Sequence, residues 1–299
     1  RDDARAAREF LDSLTAKQAQ ATAMPSLLSE QHFPAYPQWR ALITQATQAI
    51  AAGEMDKVVL ARATDLHFAA PLNAGSIMAA SRRSNLNCFH FLMAFTPREA
   101  FVGSTPERLW RRRGALLRTE ALAGTVASHA DDRQAQRLGN WLMGDDKNQR
   151  ENMLVVEDIC QRLQGETRAL EVLPPQIVRL RKVQHLRRCI WAELDKPDDA
   201  RCLHLLQPTA AVAGLPRQVA LDFITRNELF TRGWYAGSAG YLSLAQSEFC
   251  VSLRSAKVEN HTLRLYAGAG IVSGSDPEQE WQEIENKAAG LRSLLLTET

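Results

Sequence analysis

Two stretches of this sequence gather carboxylates beside apolar faces. In "EQEWQEIENKAAGL", Glu278 to Leu291, a helical wheel of about 100° per residue sets Trp281, Ile284, Ala288 and Leu291 on one apolar stripe. Glu280, Glu283 and Lys287 share a face bordering it, whereas Glu278 and Glu285 point away and are expected in water. In "DDKNQRENMLVVEDICQRL", Val155, Ile159 and Leu163 form the apolar side, Glu151 borders it, and Asn148 and Asp158 lie nearby. A hard cation such as magnesium takes one or two carboxylates and fills its shell with water and an anionic substrate. On these residues alone the plainer interpretation, solvated helix edges with Glu283 paired to Lys287, stands ahead of a metal site.

Two further ionisable side chains sit where strands begin. Lys57 opens the β-branched run "KVVLARATDLHF", either as a snorkelling edge residue or as a functional amine. Glu107 follows a Ser-Thr-Pro turn in "VGSTPERLW" and is either solvated or a functional acid. His185 in "VQHL" is balanced between a satisfied core histidine and a site residue.

Elements must bring these groups together. The 299 residues are 45% hydrophobic and 23% charged, an ordinary globular composition, and a formal net charge of +2 gives no global field toward nucleic acid or membrane. Five scattered cysteines without a CxxC suit a reducing, cytoplasmic setting. The pattern predicts helices over 1–21, 37–54, 75–84, 131–144, 147–165, 199–206, 216–227 and the closing segment. Strands are predicted in runs: 57–68, then 88–122 in short pieces, two extended segments over 169–194, and an antiparallel meander from Ser238 to Val272. Such runs indicate an α+β fold with mostly antiparallel sheets. No Walker A loop, GxSxG elbow or HExxH appears. The basic runs "RRR" (111–113) and "RLRKVQHLRR" (179–188) are expected to be solvated strand faces rather than a nucleic-acid surface. The chain opens at Arg1 within a helical pattern, so 1–299 is expected to be a single catalytic unit from a longer protein.

Eight motifs in collinear order, "GSTPERL", "TEALAGT", "RENMLVVEDI", "PTAAVAGLP", "WYAGSAGY", "FCVSLRSA", "YAGAGIV" and "EWQEIENKAAGL", resemble the chorismate-utilising enzymes, and among them the isochorismate synthases of menaquinone biosynthesis. The resemblance runs from about Pro37 to the C-terminus. It implies a large α/β sandwich of two mostly antiparallel sheets with helices outside, and a magnesium-dependent conversion of chorismate to isochorismate. By the same resemblance Lys57 matches a general base and Glu107 a general acid. Glu151 and Glu283 match magnesium ligands, with Glu280 as a further carboxylate. Tyr235 and Arg254 match groups on the enolpyruvyl carboxylate; Lys287 and the backbone at Gly268 and Gly270 match groups near the ring carboxylate.

Departures sort the relatives. Amine-transferring relatives that react covalently carry a lysine where this chain has Ala123, and ammonia-using relatives carry glutamine where it has Lys57. No glutamine amidotransferase subunit is therefore expected, and the protein is expected to act as a monomer. Asn148 replaces an acid that some relatives place three residues before the Glu151 equivalent, which lowers the local negative charge. The rivals are a salicylate synthase, which eliminates pyruvate from isochorismate, and a catalytically inactive chorismate-binding module.

Overall fold

The structure, a computed structural model, describes residues 2–13 and 24–295. Helix α1 (Asp2–Ser13) is followed by β1 (Leu27–Phe33), α2 (Tyr36–Ala51), β2 (Lys57–Phe68), α3 (Ala74–Ser84), β3 (Phe89–Thr96) and β4 (Glu99–Thr105). Next come β5 (Arg108–Arg113), β6 (Leu116–Ala127), α4 (Asp132–Gly144), α5 (Asp146–Leu163), β7 (Thr167–Val172), β8 (Gln176–Arg179) and β9 (Val183–Leu194). Then follow α6 (Asp199–Leu206), β10 (Gly214–Leu215), α7 (Arg217–Asn227), β11 (Ser238–Leu242), β12 (Gln246–Val251), β13 (Ser255–Glu259), β14 (Thr262–Ile271) and α8 (Pro277–Arg292). Of the first predicted helix, residues 1 and 14–21 lie outside the described residues.

The strands form two antiparallel sheets. One runs β1-β2-β14-β13-β4-β3 with β10 added to β2; the other runs β11-β12-β5-β6-β9-β7 with β8 added to β9. This is the α+β arrangement that the runs of strands indicate. Alternation along β2 explains how a fully buried strand serves two layers. Val58 and Leu60 join a core with Trp39, Ile43, Ala220 and Ile284 from α2, α7 and α8, while Ala61 and Ala63 pack with Tyr235 and Tyr266 on the opposite face. Each large apolar side chain so buried contributes about 1.5–3 kcal/mol. The second sheet rests on α5 and α6, where Val155, Ile159 and Leu163 meet Trp110, Leu117 and Ile190.

Besides β1 and β10, which lie where no strand is predicted, four features differ from the sequence-based expectations. Residues 169–194 form three strands, because Pro174 and Pro175 separate β7 from β8, which both pair with β9; proline lacks the N–H that a continuous strand would donate. The meander is split: β11 and β12 belong to the second sheet, β13 and β14 to the first. The chain crosses between them at Ser252–Arg254, with Arg254 in the left-handed region at φ 48°. Arg112 is not solvated; it is buried and donates from Nε and Nη2 to Asp199 at 2.5 and 2.7 Å.

The closing helix supplies the fourth correction. Asp276 caps it through the Glu278 and Gln279 amides, with Pro277 at its first position, and Ile284, Ala288 and Leu291 are buried as the wheel requires. Glu278 is exposed, but Glu285 is not simply in water. It is bound 2.5 Å from Nη2 of Arg62, a fully buried β2 side chain whose guanidinium also lies 4.2 Å from the Trp281 ring centre. A wheel sees one helix, and this partner lies 223 positions back along the chain.

Candidate active site

The two sheets and helices α5 and α8 frame a tight cleft of about 50 Å³. Glu107, Glu151, His185, Tyr235, Arg254, Gly268, Gly270 and Lys287 all line it. Lys57 reaches the same place through Glu151: its Nζ donates to Glu151 Oε1 at 3.0 Å, with the lysine fully buried. Of the ten residues assigned to the site from sequence, seven line the cleft, Lys57 and Glu283 each touch one that does (Glu151 and Lys287), and Glu280 pairs with Lys147 outside it.

Glu107 sits at the turn between β4 and β5, where the chain passes from the first sheet to the second. It is 2% exposed. Burial, then repulsion from Glu120, pushes its carboxyl up to about 8, against the pull of Lys57, Arg254 and Lys287. At neutral pH it is therefore mostly protonated and can donate. Glu120 is itself raised by burial, although the Arg108 backbone N–H donates to it at 2.8 Å.

Three carboxylate–lysine pairs lie along α5 and α8. Besides Lys57–Glu151, Lys147 Nζ donates to Glu280 at 2.6 Å, and Lys287 Nζ donates to Glu283 at 2.6 Å and to the Gly268 carbonyl at 2.9 Å. The i, i+4 pairing read from the spacing is thus present. Burial pushes the Glu151 carboxyl up, but Lys57, Lys287 and Lys147 outweigh it and leave it lowered. Glu280 is pushed up to about 7, first by burial and then by Glu283. Two carboxylates that repel one another, with a third nearby, are hard oxygen donors in surplus of what magnesium asks of a protein. Among the described residues no three His, Cys, Asp or Glu side chains are already converged on a metal position. The donor set fits magnesium, with lysine ammonium groups now holding each carboxylate. Gly270 keeps space at this point: a Cβ there would fall 2.1 Å from Glu151 Oε1 and 3.1 Å from Lys57 Cε.

The opposite side of the cleft is cationic and aromatic. Arg254 Nη2 donates to His185 Nε2 at 2.6 Å, while His185 Nδ1 lies 3.1 Å from Thr125 Oγ1. Burial first, then Arg254 and Lys287, holds the histidine well below its ordinary value, so the ring is neutral and Nε2 accepts. Tyr235 stacks on Tyr266 with centroids 5.2 Å apart, and burial pushes its phenol up to about 12. Gly268 leaves room for that hydroxyl, since a Cβ would fall 2.7 Å from it.

The chain matches the family described as chorismate binding enzyme over residues 2–296. It belongs to the chorismate-binding enzymes. It is 69% identical over 296 residues to isochorismate synthase MenF of Escherichia coli (strain K12), covering 99% of this chain and 69% of that protein. To MenF of Haemophilus influenzae it is 48% identical over 261 residues, covering 87% of this chain and 61% of that protein. The solved structure of the menaquinone-specific isochorismate synthase of E. coli matches with a TM-score of 0.89 at 68% identity, covering 99% of this chain and 69% of that one.

In this chorismate-binding enzyme some contributors escaped the sequence. Asn152, fully buried on α5, donates from Nδ2 to the carbonyls of Ala121, Ala123 and Leu186 at 3.0–3.2 Å, and its Oδ1 accepts from Arg188 at 2.5 Å. Asn148 Oδ1 accepts from the Thr125 backbone N–H at 3.0 Å. The two amides clamp the bulge of β6 at Leu122–Thr125, where Gly124 takes φ 85°. Asn148 thus has a structural task beyond the loss of an acid at its position. Glu228 likewise accepts from the Ala61 backbone N–H at 2.9 Å and from Arg232, which donates on to the carbonyls of Val59 and Val212. The signal available for Asn152 was its place one residue after Glu151, with Val155, Val156 and Ile159 following on its side of the helix.

Proposed function

We propose that this chain carries the isochorismate synthase reaction, converting chorismate to isochorismate in menaquinone biosynthesis, as one catalytic unit of a longer cytoplasmic protein. The observation that carries the proposal is a pair of buried ionisable groups at one cleft: Glu107, held at about 8 and able to give a proton, and Lys57, which reaches the cleft through its contact with Glu151.

In this assignment a water molecule loses a proton to neutral Lys57 and bonds to C2 of chorismate. The C1=C2 double bond moves to C1=C6 and the C5=C6 double bond to C4=C5, and the C4 hydroxyl leaves as water with the proton from Glu107. Water is gained and water is lost, so the product is an isomer. The Lys57–Glu151 contact must open before the amine can accept. Glu151 and Glu283, with Glu280 as a further carboxylate, would hold magnesium, which would supply positive charge to a substrate carboxylate. Arg254, oriented by neutral His185, and Tyr235 hold the enolpyruvyl carboxylate. Lys287 and the backbone around Gly268 and Gly270 face the ring carboxylate. Ala123 offers no amine for a covalent route, and Lys57 stands where ammonia-using relatives carry glutamine, so no amidotransferase partner is assigned.

Incubation of the purified protein with chorismate and magnesium tests the proposal by product analysis. Isochorismate as the accumulating product supports it. Salicylate with an equal amount of pyruvate would reassign the chain as a salicylate synthase, and stabilisation by chorismate without turnover would make it a binding module.

A further inference from the structure

A second cavity adjoins the cleft and has a strongly one-sided lining. It offers about 350 Å³, and Arg254 and Lys287 belong to the walls of both cavities. Arg179, Arg181 and Lys182 complete its basic residues, and no Asp or Glu lines it. In a chain whose formal net charge is +2, five cations around one cavity without an acid are a local concentration rather than a reflection of overall charge.

The local fold holds this arrangement in place. Arg181 and Lys182 are the two central residues of the turn from β8 to β9, closed by the Leu180 N–H on the Val183 carbonyl at 2.9 Å. Arg181 ties that turn to the end of α8, donating from Nη2 to the Gly290 carbonyl at 2.9 Å and to Ser293 Oγ at 2.6 Å. Arg179 is offset by Asp132 at 2.7 Å. Among the described residues, neither Arg181 nor Lys182 has a carboxylate partner, and both are exposed. This is the basic run "RLRKVQ" that a nucleic-acid surface could have claimed; its first half faces a cavity the size of a small molecule instead.

We propose that this cavity is the approach funnel for a small dianion, with Arg181 and Lys182 as capture residues that draw the substrate toward Arg254 and Lys287. The inference rests on the function proposed above, since chorismate carries two carboxylates. Both capture residues lie outside the reacting groups, so they act on substrate concentration at the mouth and not on the chemical step. A funnel of like charges with low-dielectric walls raises local counter-ion concentration, and salt removes the effect once the Debye length falls below the cavity dimensions.

The test is kcat and KM for chorismate against ionic strength, for the parent, Lys182→Gln and Lys182→Glu. At low ionic strength kcat/KM is expected to fall roughly threefold in the first variant and roughly tenfold in the second, with kcat unchanged in both. In concentrated salt the three proteins are expected to converge. A kcat/KM unaffected by either substitution at low salt, or a loss that salt does not erase, overturns the funnel while leaving isochorismate formation by the parent intact. A parent that makes no isochorismate overturns the proposed function itself, which is a separate result. The Lys182 side chain is exposed and makes no hydrogen bond among the described residues, and its backbone carbonyl, which accepts from the Ser128 N–H at 2.9 Å, is untouched by substitution, so both variants retain the native structure for the comparison.

Discussion

Replacing Glu107 by glutamine separates what the buried carboxyl costs from what it does. Burial, then Glu120, raises this acid from an ordinary 4.5 to about 8 in the folded protein. The folded state therefore holds the proton more tightly than the unfolded chain does. The stability this contributes is fully present below about 4.5 and is lost as pH rises through about 8. At about 1.4 kcal/mol for each pKa unit, the full loss is roughly 5 kcal/mol, of which roughly 4 falls between about pH 5 and about pH 9. Glutamine has the same shape and no proton to lose. The variant is expected to be nearly inactive, yet to gain on the parent in unfolding free energy by up to about 4 kcal/mol across that range. Urea unfolding of the two proteins at several pH values reads the difference, since the titrating groups that do not interact with Glu107 cancel. A gap that stays constant with pH would refute the raised carboxyl, and with it the donor role of Glu107.

Two further substitutions probe the frame around it. Gly270→Ala places a methyl 2.1 Å from Glu151 Oε1; it is expected to displace that carboxylate and lower kcat at least about 100-fold, with little loss of thermal stability, as steady-state kinetics beside a melting curve will show. Asn152→Ala strands three buried carbonyls and Arg188, so about 3 kcal/mol of stability is expected to be lost in urea unfolding, with a fall in kcat as the β6 bulge loosens.

Local pattern carried much of this molecule. The stripe Ile284, Ala288, Leu291 is the buried side of α8, and Glu280 and Glu283 flank it as the wheel requires. Lys57 and Glu107, ambiguous by themselves, became interpretable when eight motifs were taken in order, and both are buried beside the cleft. What stayed hidden depends on partners far away in sequence. Glu285 faces Arg62 across the β2–α8 layer, and Asn152 satisfies carbonyls on β6 and β9. Neither pairing leaves a mark in the local periodicity. Alternation along "SEFCVSLRSAKVE" likewise cannot report that the strand leaves one sheet and enters the other, since both halves alternate equally well. The turn at Arg254 does that, in a conformation that arginine rarely adopts. It also aims the guanidinium at His185.

The central claim is that Lys57 and Glu107 form the acid–base pair of an isochorismate synthase. The most direct measurement is product formation from chorismate and magnesium by the parent and by Lys57→Ala, both checked for native folding. The account predicts isochorismate from the parent and a loss of at least about 100-fold in kcat for the variant. Conversion by Lys57→Ala at the parental rate would contradict it.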